Sequence, residues 1–179
     1  MAIETLKRDN KKSVAEKLNR ALQVEYDLIF NYPRVIDKLV NIEKIHDERL
    51  NSMIEVLGIE SLRHFTEVDN LIVKLGGETQ WSFEVIDRLV DVEEILAKQL
   101  EREKWVVSWY TSAKRIAEQN KVKAGGVLGK LTGSPGVLPE DFIDANEIIN
   151  TLDRIIRDEK RHALLVQNSI NTLKRLTNK

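Results

Sequence analysis

The last part of the chain carries one apolar stripe at helical spacing, Ile148, Leu152, Ile155, Val166 and Ile170, broken in its middle by Glu159 and His162. Residues three and four apart share a helix face, so this glutamate and histidine lie on the face that must be buried. Three other stretches show the same interruption. One reads Leu18, Leu22, Glu25, Ile29, Ile36; another Met53, Leu57, then Glu60 or Ser61 and His64, then Val68 and Leu71. A third reads Val92, Leu96, Leu100, Glu103, Val107, Tyr110. No stretch alternates with the period of two of a half-buried strand, so the class is all-α. A lone carboxylate on a buried stripe is costly unless paired or metal-bound. Four such interruptions imply that these groups meet inside a bundle.

Helix boundaries follow from local signals. The first helix is expected over residues 12–40, with Pro33 as a kink, and the second over residues 43–75, ending at Gly76-Gly77. Gly58 inside the second weakens it. Residues 76–90 read as a connection. Asp91 with Glu94 fits a capping box opening a third helix that runs to about Asn120. Five glycines and two prolines make residues 121–139 a loop, and the last helix spans 140–176. Within that loop, the run from Gly125 to Thr132 imitates a phosphate-binding loop. Its glycine spacing is short by one, Leu131 replaces Ser or Thr, and a helix precedes it.

Counting places the polar interruptions at one depth. At ~1.5 Å per residue, Glu25 and Ser61 both lie roughly 22–24 Å from the turn between the first two helices. Glu103 and Glu159 stand at similar separations from the second loop. Residues 76–90 must then run back along the bundle for about 35 Å, within reach of an extended chain. The expected architecture is two antiparallel helix pairs joined by a long crossover, folded as one domain over residues 1–179. Glu43 and His46 have the same spacing as a ligand pair, but they follow Glu25 too closely to reach its depth.

Bulk properties narrow the function. With 28 basic and 29 acidic side chains the net charge is −1, which argues against a nucleic-acid partner. No apolar run approaches the ~20 residues of a membrane span, and the first twelve residues are too charged for a signal peptide. The chain lacks cysteine, which excludes disulfides and thiolate metal centres and makes the cytoplasm the default location. Carboxylates with two imidazoles suit iron or manganese.

The residues resemble the bacterioferritin and rubrerythrin branch of the ferritin-like superfamily. The run from Asp91 to Glu103 looks like the family's third helix, ending on a metal-binding glutamate. Asp158-Glu159-Lys160-Arg161-His162 is similar to the fourth-helix motif, and Glu25-Tyr26 matches the first-helix ligand with its aromatic neighbour. His64 and the residues to Leu75 resemble the end of the second helix. Two positions depart. The family has glutamate three residues before the second-helix histidine, where this chain has Ser61: either Glu60, one step off, swings in as a replacement, or the site has lost a bridge and holds one metal instead of two. Leu62 stands where bacterioferritins place a haem-ligating methionine, so no haem is expected.

The resemblance implies a di-iron centre held by Glu25, Glu60, His64, Glu103, Glu159 and His162, with manganese as the other metal. Such a centre reacts with O2 or peroxide, oxidising ferrous iron or detoxifying peroxide. Any electron donor would be a separate protein. Two alternatives stand beside this reading: a subunit of an iron-storage cage, and a structural or interaction bundle with a degenerate site. Glu67 reads as an edge charge. Trp81, Phe83, Trp105 and Trp109 exceed what one bundle interior needs, which points to a homodimer or larger assembly.

Overall fold

The computed structural model describes residues 4–82, 91–123 and 144–177. Among them run four long helices: α1 (Arg8–Asp37), α2 (Glu48–Lys74), α3 (Val92–Asn120) and α4 (Ala145–Thr177). α1 packs on α2 and on α3, and α4 packs on α3 and on α2, so α1 and α4 stand diagonally across an all-α bundle. No helix among the described residues is long and apolar enough to cross a membrane.

The sequence signals act where they stand. Asp91 caps α3, its carboxylate accepting the Glu94 N–H at 2.8 Å. Asp47 does the same for α2 through Leu50 N–H. α2 starts there, later than the apolar pattern suggests, and residues 43–47 make the turn, with Lys44 at φ 58°. α1 continues beyond Asp37 into a π-helical turn, Lys38–Ile42, in which the Glu43 N–H reaches back to the Lys38 carbonyl. Pro33 lies inside α1. Gly58 leaves α2 unbroken and serves packing instead: a Cβ there would sit 3.4 Å from Tyr32 Cβ and 3.9 Å from Pro33 Cδ.

α2 ends in a Schellman motif. Gly76 adopts φ 74°, its N–H bonds the Val73 carbonyl, and the Gly77 N–H bonds the Ile72 carbonyl. Beyond it the chain leaves helix and runs beside α1 in the same direction. Asn19 bonds Glu78 and Gln80, and Gln23 bonds both backbone groups of Ser82. This is the expected crossover as far as Ser82. Residues 83–90, with Phe83, lie outside the described residues, as do 124–143, with the Gly125–Thr132 run and the start expected for the last helix.

One feature departs from a strand-free chain. Glu4–Leu6 (β1) pairs antiparallel with Lys121–Lys123 (β2), three residues each. The pairing ties the lead into α1 to the exit from α3, and Leu6 is buried in the core. A strand of three residues is too short to show a period in sequence.

The apolar interior forms two clusters. One, around Leu18, Leu71, Val106 and Ile148, fills the end at which α1 begins. The other, around Leu28, Leu57, Leu96 and Val166, fills the opposite end. The two halves of the bundle repeat each other: Leu18 and Leu96 stand 78 positions apart, while Leu57 and Ile155, or Val68 and Val166, stand 98 apart. All are fully buried. This internal repeat is faint in sequence because few of the residue identities match.

Candidate metal centre

Between the two apolar clusters lies a buried polar layer. Glu25, Ser61, His64, Glu103, Glu159 and His162 have no accessible surface. Each sits at the break in its helix stripe, and the four helices bring the breaks to one level. The ligand atoms of His64, Glu159 and His162 lie within 4.8 Å of one another.

Glu159 is central. One carboxylate oxygen faces His64 Nδ1 at contact distance, and the other lies 3.4 Å from His162 Nδ1. Glu25 stands 3.6 Å from His64 Nδ1, and Glu103 stands 3.7 Å from His162 Nδ1. The imidazoles stack with centroids 5.3 Å apart. Outside this group each histidine is held by its other nitrogen. His64 Nε2 lies 3.3 Å from Asp158, and His162 Nε2 lies 2.6 Å from Glu60. Arg63 bonds Asp158 and Arg161 bonds Glu60, each at 2.6 Å. The Tyr32 hydroxyl donates to Glu103 at 2.5 Å, and the Tyr110 hydroxyl donates to Glu25 at 2.9 Å.

Of the residues singled out in sequence, five therefore converge: Glu25, His64, Glu103, Glu159 and His162. Glu60 is placed behind His162, against the nitrogen turned away from the centre. Glu43 and His46 fall in the turn at the bundle end, where Glu43 accepts from Val92 N–H at 3.4 Å. Glu67 pairs with Arg154. Trp109 is stacked under Lys17 and Arg20, while Trp105 is largely exposed. Tyr32 and the pairing of Asp158 with His64 escaped the sequence reading. The signal was available, since Tyr32 follows Glu25 by seven residues just as Tyr110 follows Glu103.

The electrostatics follow from burial and crowding. Burial, then the like charge of Glu159, push the Glu25 carboxyl up to about 7, against the pull of His64 and Tyr110. Burial works to lower both imidazoles. The carboxylates facing Nδ1 outweigh it and hold His64 at about 10 and His162 at about 11. Burial, then Glu103 for Tyr32 and Glu25 for Tyr110, push both phenols well above their usual value, so both remain donors. Glu60 resists the upward effect of its partial burial and is lowered by Arg161 and His162.

Hydrogen bonding does not satisfy the layer. Glu25 Oε2, Glu103 Oε2, both oxygens of Glu159 and the Nδ1 atoms of His64 and His162 are buried without a well-formed hydrogen bond, and the approach of Glu159 to the two Nδ1 atoms is a charge contact within the same set. Unpartnered buried polar atoms are rare and costly. Together they form an oxygen-and-nitrogen donor set suited to a hard or intermediate divalent cation. The outer acids hold the proton on each Nε2, so Nδ1 is the nitrogen that would give up its proton to a cation.

No family model and no curated protein matches the chain. Solved structures do match. A ferritin-like, diiron-carboxylate protein from Bacillus anthracis superposes with a TM-score of 0.65 at 21% identity, over 90% of this chain and 97% of that one. The Desulfovibrio desulfuricans bacterioferritin, described with a diiron site in different catalytic states, gives 0.64 at 19%, over 94% and 84%. The Rhodobacter capsulatus bacterioferritin, described with a metal-free dinuclear site and haem iron, gives 0.59 at 19%, over 92% and 88%.

Proposed function

From a chain with the ferritin-like fold we infer a di-metal carboxylate protein, with iron as the metal and manganese as the alternative. The observation that carries this reading is the set of six buried donor atoms without well-formed hydrogen bonds between two apolar clusters. Glu25 with His64 would hold one ion, Glu103 with His162 the other, and Glu159 would reach both. Bound iron would supply the electrons that reduce O2 or peroxide, with ferrous iron oxidised or peroxide detoxified. The protein's part is to orient. Tyr32 and Tyr110 fix the outer carboxylates, Asp158 and Glu60 fix the imidazoles, and the apolar ends exclude water.

Leu62, half exposed on α2, offers no ligand atom, so the reading includes no haem. The chain is taken as one cytoplasmic domain, with any electron donor supplied by another protein. Phe30, Ile59, Leu62 and Trp81 are exposed on or beside the α1–α2 pair, which supports a homodimer.

The test is anaerobic Fe(II) loading followed by O2 or peroxide. Two Fe(II) per chain, oxidised faster than in buffer and not by Glu159→Ala, is the expected result. Absence of stoichiometric metal would leave a structural bundle with a degenerate site. A native mass of many subunits would make it a storage cage.

A further inference from the structure

The main contacts of the polar layer pair up between the two halves of the bundle. Glu25 and Glu103 stand 78 positions apart, as do Tyr32 and Tyr110, and each tyrosine bonds the glutamate of the opposite half. His64 and His162 stand 98 apart, as do Arg63 and Arg161, or Glu60 and Asp158. Each outer acid bonds the histidine of the opposite half, and each arginine bonds that acid. A glutamate also lies beside each Nδ1, at 3.6 and 3.7 Å, through the tyrosine-bonded oxygen of Glu25 in one half and the free oxygen of Glu103 in the other.

One pair breaks the relation. Glu159, three residues before His162, corresponds to Ser61, three residues before His64. Ser61 is fully buried and its Oγ has no hydrogen-bond partner. What the serine lacks, relative to its counterpart, is little more than one carboxylate group. Charge gives the same answer. Glu25, Glu103 and Glu159 carry three negative charges between them, and the outer Asp158 and Glu60 are matched by Arg63 and Arg161, so two divalent cations leave a surplus of one positive charge between the apolar clusters. Uncompensated buried charge is strongly unfavourable.

We propose that the place beside Ser61, opposite Glu159, is a subsite for a small carboxylate anion from solution, of the size of formate or acetate. The Ser61 hydroxyl donates a hydrogen bond to it, and it supplies the fourth negative charge. The anion binds only with metal, because without cations it would meet three carboxylates. This inference rests on the metal reading above.

The experiment is a Mn(II) titration of the full chain in a sulfonate buffer free of carboxylates, with and without millimolar formate. It is read by the loss of the free Mn(II) electron paramagnetic resonance signal and by melting temperature. Formate should tighten apparent Mn(II) binding by about tenfold, the scale of one charge-assisted contact, and should leave the metal-free melting temperature unchanged. Ser61→Glu should bind Mn(II) tightly without formate and ignore its addition. Ser61→Leu fills the place with an apolar side chain and should also ignore formate, which keeps the test usable if the buried glutamate prevents folding. Formate dependence that persists in either variant, or is absent in the wild type that binds Mn(II), overturns the subsite. Failure of the wild type to bind Mn(II) under any condition overturns the metal reading itself.

Discussion

The Tyr32 hydroxyl crosses from α1 to donate to Glu103 on α3 at 2.5 Å, both side chains being fully buried. The bond fixes the direction in which the carboxylate presents its other oxygen. Tyr32→Phe removes the donor and leaves Glu103 Oε1 buried without it. A lost hydrogen bond to a charged group costs roughly 1.5–3 kcal/mol, so chemical denaturation of the metal-free protein should show a loss in that range. A change below about 0.5 kcal/mol, the scale of a neutral surface substitution, would mean the bond does little.

Metal stoichiometry separates Glu159 from Glu60. Glu159 faces both Nδ1 atoms, whereas Glu60 touches only the outer nitrogen of His162. Glu159→Ala should abolish the rise in melting temperature on adding Mn(II) or Fe(II). Glu60→Ala should leave the number of ions per chain unchanged while weakening binding about 10–100-fold, as loss of a partner behind a ligand does. A halved count in Glu60→Ala would make it a ligand after all.

The pH dependence has a definite sign. Glu25 is raised from 4.5 to about 7, so its contribution to metal-free stability is complete below its unfolded value and is lost as pH rises to about 7. His64 and His162 are raised from 6.5 to about 10 and 11, so theirs is complete below 6.5 and is lost as pH climbs through those values. The metal-free protein should therefore melt at progressively lower temperature as pH rises. Cations compete with protons for the same atoms, so stabilisation by Mn(II) should grow over the same range. Metal-free thermal melts across that window check the first trend, and melts with Mn(II) over its acid-to-neutral part, where the ion stays in solution, check the second. A metal effect that shrinks with pH would contradict them.

Gly76 holds the left-handed turn that ends α2, at φ 74°. An L side chain there costs about 1–2 kcal/mol, so Gly76→Ala should lower the melting temperature by roughly 2–8 °C. An unchanged melting temperature would show that the turn relaxes freely.

Much of this was legible because buried polar residues stand out against aliphatic ones. Glu25, Glu103, Glu159 and His162 were found by their place in a stripe, and the level at which they meet followed from rise per residue. The place of Glu60 was not legible. A helix stripe is wide enough to include positions 60 and 61, and only packing decides that Ser61 faces inward while Glu60 turns to His162. The π-helical turn at Lys38–Ile42 was likewise hidden, since one extra residue per turn leaves the apolar pattern almost unchanged over five residues. The partners of the tyrosines lie 71 and 85 positions away, beyond any local pattern.

The repeat between the two halves has a consequence for how such a centre can change over time. If one hairpin assembled with an identical copy of itself, each substitution would strike both sides at once. A serine at the inner position would then remove both central carboxylates together. Because α2 is joined covalently to α3, each half accumulates its own substitutions. Glu159 stands in one half and Ser61 in the other, an unevenness that two identical copies could not carry.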